Sequence, residues 1–313
     1  IEDRYGLSVA DVTTGEYLVS EVENSEKLFD EIYKFSPAEI ICNEAFYMSG
    51  ASLNDLKDRL GIAISALDAA YFDDALCART LKEHFHVSSL EAIGLDDYNC
   101  GMIGAGALLE YLYETQKTSL NHISRLTRYA VGKYMILDNS TRRNLELCET
   151  LREKQKRGSL LWVLDKTKTA MGARLLRSFI EQPLIDKEEI SNRLEAVGEL
   201  KDNAICREEL REYLSPVYDL ERLISKISYK TANPRDLIAF GTSLSMLPHI
   251  KYILSTMKSP LLVEVCEQMD ELQDVCDLIG RAIMEEPPIQ IKDGGIIKEG
   301  YNEEIDRLRA AKT

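Results

Sequence analysis

Three acidic residues that follow predicted β-strands have the type and placement that metal-assisted phosphoryl transfer requires. Asp11 ends the first predicted strand, Glu44 follows the third and Asp68 follows the fourth. Carboxylates that converge from strand ends can hold two divalent metal ions and so promote phosphodiester cleavage. However, Thr13-Thr14-Gly15 comes directly after Asp11, and Asp is common before a turn because it bonds the local backbone. We therefore favour local turn and surface roles, and we keep a metal-dependent nuclease as the alternative function.

A glycine cluster, Gly101-Met102-Ile103-Gly104-Ala105-Gly106, invites comparison with a phosphate-binding loop. No strand is predicted before it, and it matches neither GxGxxG nor a loop that ends in Gly-Lys-Ser/Thr. Small residues at helical spacing are more typical of helices that pack closely. Because the chain holds no Walker-type sequence, we predict no catalytic residue, no bound cofactor and no ATP hydrolysis by these residues.

The cysteines and histidines do not form a recognisable metal-binding pattern. Seven cysteines are scattered without a CxxC pair, which is typical of reduced thiols in a cytosolic protein. His84 and His86 lie close together, but no cysteine follows at a zinc-binding spacing. We predict no metal site, and we see no apolar run that approaches the roughly 20 residues of a membrane span.

Charge is distributed unevenly along the chain, whose net charge is −15. Residues 1–120 carry 8 Lys/Arg against 22 Asp/Glu, residues 121–180 carry 13 against 5, and residues 181–313 carry 17 against 26. An acidic surface disfavours non-specific binding to DNA, so any direct contact is expected in the basic middle segment. The candidate residues are Arg142, Arg143, Lys154, Lys156 and Arg157.

These cations have two possible roles. They could contact the DNA backbone, or they could pair with acidic segments of this chain or of domains outside it. We favour the pairing with acidic segments, since runs of charge are usually solvated or paired. A stand-alone helical DNA-binding module is the other function that these residues leave open.

Hydrophobic patterning predicts an α/β region followed by a region that is nearly all helix. In the first region, β-rich runs alternate with helices; the predicted elements are strands at 7–11, 17–22, 39–42 and 62–64, and helices from 25 to 36, 52–60, 73–85 and 98–116. In the second region, Asn139 or Ser140 is predicted to cap a helix over 142–156, and 261–285 is predicted to be one helix. Trp162 lies on an apolar face and is predicted to be part of the core.

Several sequence blocks in the second region resemble a known family in their order and spacing. The blocks are Asp138–Leu147 (DNSTRRNLEL), Thr169–Leu176 (TAMGARLL), Asp219–Leu223 (DLERL), Thr231–Leu237 (TANPRDL), Pro287–Ile289 (PPI) and Gly300–Glu304 (GYNEE). Together they resemble the middle of the MutS family of DNA mismatch-recognition ATPases. The resemblance is weaker but continuous over the first region, where Ala10–Glu16 is similar to a hairpin of the family.

The resemblance implies a multi-domain fold that combines α/β and all-α parts. Residues 1–120 would be the connector domain, with a ribonuclease H-like α/β fold, and residues 121–313 the mostly helical core, or lever, domain. In the family the connector is not a nuclease. The chain is then expected to be a fragment: a mismatch-reading domain would precede it, and the clamp and the ATPase domain would follow it.

Function, location and partners also follow from the resemblance. The chain would couple ATP and Mg²⁺ bound in the absent ATPase domain to the grip on mismatched duplex DNA, in a cytoplasmic bacterial protein that acts as a homodimer. The family connector also docks the partner protein MutL. The matching positions here are Tyr71, Phe72, Asp73 and Asp74, where the family has polar amides.

Overall fold

The computed structural model describes the chain except for residues 1–3, 36, 50–52, 54–55, 58–60, 118–119, 130–133, 136, 138 and 313. The chain forms two compact units. The first unit comprises Ile1–Val163 with Ile180–Pro183, and the second comprises Leu164–Phe179 with Leu184–Thr313. The domain boundary at residue 120 stays a prediction.

A β-hairpin begins the first unit. Strands β1 (Tyr5–Asp11) and β2 (Glu16–Val22) pair antiparallel, with Asp11 opposite Glu16. A hydrogen bond from Gly15 N to Asp11 O, 2.8 Å long, closes the loop between the two strands. Gly15 has a φ of 79°. Glycine adopts this conformation without strain because it has no Cβ atom to clash with the backbone. The predicted hairpin and its turn are therefore confirmed.

A second, parallel sheet lies in the same unit. Strands β3 (Glu39–Asn43) and β4 (Ala63–Leu67) pair with each other, and β5 (Thr127–Arg128) adds to β2 in parallel. Within the described residues, the helices of this unit include α1 (Ser25–Phe35), α2 (Glu44–Met48), α3 (Asp74–His84), α4 (Asn99–Gln116) and α5 (Asn139–Asn144). Most of the helix predicted over 52–60 falls outside the described residues.

The core of this α/β arrangement follows from the spacing of apolar residues. Leu28 and Ile32 are one helical turn apart on α1 and bury the same face of that helix. Their buried partners come from β2, β3, β4 and the segment before β4, and are Val22, Cys42, Leu53, Leu56, Ile62 and Ile64. Burial of this apolar set is what holds α1 on the strands.

Glycines allow α4 to approach its neighbours at backbone distance. A Cβ atom on Gly6 of β1 would lie 1.9 Å from the carbonyl oxygen of Cys100 at the start of α4. A Cβ atom on Gly106 would lie 2.3 Å from the Cβ of Cys77 on α3. The glycine cluster thus serves close packing between elements, as predicted, and not a nucleotide loop.

The second unit is helical. A short helix, α6 (Leu160–Leu164), crosses the division between the units. The remaining helices are α7 (Ala170–Glu181), α8 (Lys187–Asp202), α9 (Ala204–Leu214), α10 (Leu220–Ser228), α11 (Pro234–Ser245), α12 (Leu247–Leu254), α13 (Pro260–Gln268), α14 (Gln273–Ala282) and α15 (Glu303–Lys312). The predicted fold class, an α/β part followed by a helical part, is confirmed.

Two apolar clusters form the core of the second unit. One is built from α9, α12 and the turns beside them, and its buried residues are Leu210, Val217, Ile250, Ile253, Leu254 and Met257. The other joins α10 to α11 through Leu223, Phe240 and Leu244, with Ile279 of α14 packed against them. Each of the helices in these clusters contributes apolar residues to the core, as expected of helices in a globular domain.

The helix predicted over 142–156 is wrong. Helix α5 ends at Asn144, and Glu146 and Lys154 have φ angles of 47° and 49°, which interrupt a right-handed helix. The carbonyl of Glu146 accepts from Leu160 N at 3.0 Å, and that of Leu147 accepts from Leu161 N at 2.8 Å. These carbonyls bond the next helical segment instead of continuing α5, which sequence propensity alone does not reveal.

Three other sequence expectations need correction. The helix predicted over 261–285 is broken between α13 and α14, where Leu272 has a φ of 49°. Trp162 is 48% exposed and not in the core. Pro234–Leu254 is long and apolar enough for a membrane span by length and composition. The structure divides that run at Met246 into α11 and α12, and a third of its apolar window is buried.

Candidate functional site

Two of the three strand-end carboxylates, Asp11 and Asp68, bond their own turns. Asp11 Oδ1 accepts from Thr13 N at 2.8 Å and from Thr13 Oγ1 at 2.7 Å. Burial raises the pKa of Asp11, but the bonds from Thr13 and Thr14 outweigh it, so the net pKa is lowered and the carboxylate stays ionised. Asp68 Oδ1 accepts from Ala70 N at 2.9 Å.

These acids do not form a metal-binding cluster in the described part of the chain. Asp11 ends a strand of one sheet, whereas Glu44 and Asp68 follow the parallel strands of the other. Among the described residues, no group of three or more His, Cys, Asp or Glu side chains is placed to hold a metal ion. Asp11 and Asp68 have the local turn roles that the sequence favoured.

The segment Tyr71–Asp74 joins a short 3-10 turn to the start of α3. The Tyr71 hydroxyl donates to the Glu114 carboxylate on α4, which raises the pKa of Tyr71. Asp73 is the N-cap of α3, since its Oδ1 accepts from Leu76 N at 2.8 Å. Asp73 and Asp74 are exposed, while Phe72 is half-buried.

A crevice lies beside this segment. Its volume is about 640 Å³, and strands β1 and β3 line it together with Phe72 and Asp74. Cys77, one turn further along α3, is buried, and burial with the charges of Asp74 and Asp73 raises its pKa to about 11. The thiol is therefore protonated at neutral pH.

The predicted basic residues lie on two different elements. Arg142 and Arg143 end α5, whereas Lys154, Lys156 and Arg157 belong to the loop that follows. Arg142 is half-buried and donates from Nε to Leu137 O at 2.9 Å. Its guanidinium therefore serves the local backbone, which separates it from the other four.

The loop over 151–158 presents its charge to solvent. Every residue in that range is exposed. The loop folds back on itself, because Thr150 N donates to Gln155 O at 2.9 Å and Lys154 N donates to Thr150 O at 3.1 Å. Within the described ranges, no acidic side chain pairs with Arg143, Lys154 or Arg157. For these three residues, the partner expected within this chain is not found there.

Arg174 links two of the sequence blocks in the second unit. Its Nη1 donates to Asp219 Oδ2 at 2.7 Å and its Nη2 donates to Asp219 Oδ1 at 2.8 Å, while Nη2 also bonds the Glu221 carboxylate. This two-pronged pairing fixes orientation as well as distance. The hydrogen bond from Arg174 lowers the pKa of Asp219 against the opposing effect of burial.

The later blocks are joined in the same way. Asn233 and Asp236 form a reciprocal cap at the start of α11, with side-chain to backbone distances of 3.0 Å in both directions. Arg235 Nε donates to Pro287 O at 3.0 Å. Lys226 of α10 bonds Asp236 at 2.9 Å. These blocks therefore connect helices to one another.

Sequence reasoning missed the Arg174 pairing. The only available signal was an arginine in one block and two acids, Asp219 and Glu221, in another. Nothing in the spacing of 45 residues between Arg174 and Asp219 fixes their approach, because that distance depends on how α7 packs relative to α10.

Comparison with known proteins identifies both parts of the chain. The family model of MutS domain II matches residues 1–124, and that of MutS domain III matches residues 140–311. The DNA mismatch repair protein MutS of Lachnoclostridium phytofermentans is 61% identical to this chain, in an alignment that covers 100% of this chain and 34% of the relative. The DNA mismatch repair protein MutS of Acetivibrio thermocellus is 46% identical, in an alignment that covers 98% of this chain and 35% of the relative. The chain thus spans about a third of the length of these relatives. On these matches the chain belongs to the MutS family, and it contains the family's domains II and III.

Proposed function

We propose that this chain is the non-catalytic middle of a DNA mismatch-recognition ATPase. In that role it couples ATP and Mg²⁺ bound in a domain outside the chain to the grip of other domains on mismatched duplex DNA. The observation that carries the proposal is the two-pronged pairing of Arg174 with Asp219, which we call the Arg174 fork. It bonds α7 to the start of α10, and both elements contain sequence blocks that resemble the family. We call these bonded helices the frame. Coupling between distant sites needs packed elements with defined arrangements, and such a frame supplies them.

A hybrid protein tests this role. The segment of the Lachnoclostridium phytofermentans relative that aligns with this chain is replaced by the chain itself, which is 61% identical to it. We expect the hybrid homodimer to hydrolyse ATP and to change its rate of hydrolysis when mismatched duplex is added. A hybrid that binds both ligands separately but shows no mismatch dependence would reject the coupling role.

The nuclease alternative is tested on the chain itself. Purified chain is incubated with duplex and single-stranded DNA in Mg²⁺ or Mn²⁺. We expect no cleavage, because Asp11 and Asp68 bond their own turns. Cleavage that disappears in the Asp11→Asn and Glu44→Gln variants would establish the nuclease instead.

We also propose that Tyr71–Asp74 is a docking surface for MutL. The support is an exposed acidic pair beside a half-buried aromatic side chain, at the junction of a turn and α3. Such a site offers an apolar anchor with a charged rim, the usual composition of an interface centre and its edge.

Replacing Phe72 by Ala and Asp73 by Asn should weaken ATP-dependent binding of MutL to the hybrid by about tenfold. Asn is chosen because Asp73 caps α3 and an amide oxygen keeps that bond to Leu76 N. Asp68→Asn is the matched control, since Asp68 caps the preceding turn in the same manner. MutL binding measured by surface plasmon resonance that is equal in the double variant and the control would exclude this surface.

The exposed cations at the end of α5 and in the loop after it are proposed to contact the DNA backbone. Arg143, Lys154 and Arg157 have no acidic partner among the described residues, so their charge is available to phosphates. The acidic remainder of the chain opposes the contact, because the net charge is −15. We therefore expect only weak, salt-dependent binding by the isolated chain.

Fluorescence anisotropy with a labelled duplex should detect this binding at low salt and lose it near physiological salt. Changing Arg143, Lys154 and Arg157 to Ala should abolish the low-salt signal. The control changes three other exposed cations, Lys187, Lys201 and Lys292, and so removes the same charge elsewhere. Equal losses in the two triple variants would show a general charge effect and contradict the assignment.

A further inference from the structure

The ammonium group of Lys34, near the end of α1, is buried. Its side chain is 7% exposed, and Nζ lies 2.9 Å from Glu31 Oε2, whose side chain is 11% exposed. A buried cation is costly unless it is paired. Glu31, three residues earlier on the same helix, supplies the compensating charge.

Aromatic rings surround the same ammonium group. Nζ lies 4.7 Å from the centroid of Tyr129, 4.9 Å from that of Phe35 and 5.6 Å from that of Tyr134. The Phe35 and Tyr129 rings meet edge to face with centroids 5.6 Å apart. All three distances fall within the range of cation–π attraction, which strengthens when water is excluded.

The two tyrosines belong to the segment between the matched domains. The match to MutS domain II ends at residue 124 and that to domain III begins at residue 140. Tyr129 is anchored on β2, since its N donates to Val19 O at 3.0 Å and its carbonyl accepts from Ser20 Oγ at 2.9 Å. Met135, next to Tyr134, donates to Pro183 O at 2.8 Å.

We propose that Lys34 is the positioning residue of this interdomain segment. The ammonium group of Lys34 holds two rings against α1: that of Tyr129, which precedes residues 130–133, and that of Tyr134, which follows them. Because α1 also contacts α5, the lysine sets the path along which the chain passes from the connector to the core domain. This deepens the coupling role proposed above and rests on it for its consequence in the longer protein, but the anchoring itself can be measured in this chain alone.

Hydrogen exchange of the Lys34→Met variant tests the anchoring. We expect the amides of Tyr129 and Met135, which are hydrogen-bonded in the structure, to exchange about tenfold faster, while amides of the β1–β2 hairpin keep the protection of the parent chain. Lys34→Arg, which keeps a cation near the rings and Glu31, should restore much of the protection. Lys27→Met is the matched control, because Lys27 lies on the same helix and pairs with Glu23 just before it, but its side chain is 40% exposed.

Removing Lys34 alone leaves Glu31 buried without its partner, so a variant that also carries Glu31→Gln separates the two effects. In that double variant the hairpin should be as protected as in the parent, and the segment should still exchange faster. Parental exchange of the segment in the double variant would overturn the proposal. Parental exchange throughout the single variant would overturn it as well. A hybrid that loses coupling while this exchange pattern holds would instead count against the proposed function alone.

Discussion

A chain that carries Gly6→Ala is expected to lose about 3 kcal/mol or more of the stability of its first unit, the upper end of what overpacking costs. The added methyl group would lie 1.9 Å from the carbonyl oxygen of Cys100 and 2.3 Å from its carbonyl carbon. Both atoms belong to the backbone, so no side-chain rotation can relieve the clash. Strand β1 and helix α4 must separate, and the apolar surface between them is exposed.

Thermal unfolding, with hydrogen exchange to locate the change, measures this loss. The control is Gly198→Ala in α8, where an added Cβ meets no atom within 4 Å. There the substitution removes flexibility from a helix interior and should stabilise the chain by about 0.4–1 kcal/mol. The same chemical change thus has opposite expected signs at two positions. A Gly6 variant as stable as the parent would show that α4 does not approach β1 at this distance.

The second large effect is expected at Arg174. Replacement by Ala removes both prongs of the pairing with Asp219 and the bond to Glu221. Because Asp219 is partly buried and keeps its charge, we expect a loss of about 2–3 kcal/mol from the second unit. Arg174→Lys keeps the charge but cannot make the planar two-pronged contact, so an intermediate loss is expected.

Urea denaturation of these variants gives the free energies of unfolding. The matched control is Arg222→Ala, because Arg222 also pairs with Asp219, at 3.5 Å, but its side chain is 61% exposed. An exposed pair of this kind contributes about 0–1 kcal/mol. If Arg222→Ala and Arg174→Ala cost the same, the fork does not hold the blocks together.

The pH dependence of stability follows from the same contact. The pKa of Asp219 lies below its ordinary value of 3.8 in the folded chain, mainly because Arg174 bonds the ionised form. This stabilisation is complete above the pKa of the unfolded chain and is lost as pH falls through the lowered folded pKa. The parent should therefore lose its advantage over Arg174→Ala as the solution is acidified below pH about 4.

In the hybrid protein, Arg174→Ala should leave basal ATP hydrolysis in place and reduce its dependence on mismatched DNA. Arg174 lies within the residues that match MutS domain III, and the chain as a whole matches domains II and III. Its loss is therefore expected to alter the proposed frame and not the ATP site. Full mismatch dependence in a destabilised variant would show that the fork supports stability without serving the coupling.

The sequence predicted local elements better than the contacts between them. The turn after Asp11 and the close packing of the glycine cluster that contains Gly106 were both predicted, and the structure has both features. The helix expected over 142–156 failed, because the carbonyls of Glu146 and Leu147 bond residues 160 and 161. Propensity could not anticipate that competition from a later segment.

The candidate surfaces were predicted as residues but not as arrangements. Arg142 and Lys154 were grouped by charge, yet the structure turns Arg142 towards the carbonyl of Leu137 and leaves Lys154 in solvent. Most of the surroundings of Lys34 were invisible in the sequence, since two of its three rings come from residues 95 and 100 positions further along the chain. Contacts of that range depend on the tertiary fold.

The chain has a single tryptophan, and Trp162 is 48% exposed on α6 beside the basic loop. An indole half in water fluoresces at longer wavelength than one enclosed by apolar side chains. Its emission maximum is therefore a built-in optical reporter of this one surface, readable without any label. A blue shift on joining this chain to the rest of a longer relative, or on adding DNA, would show which of them covers the helix.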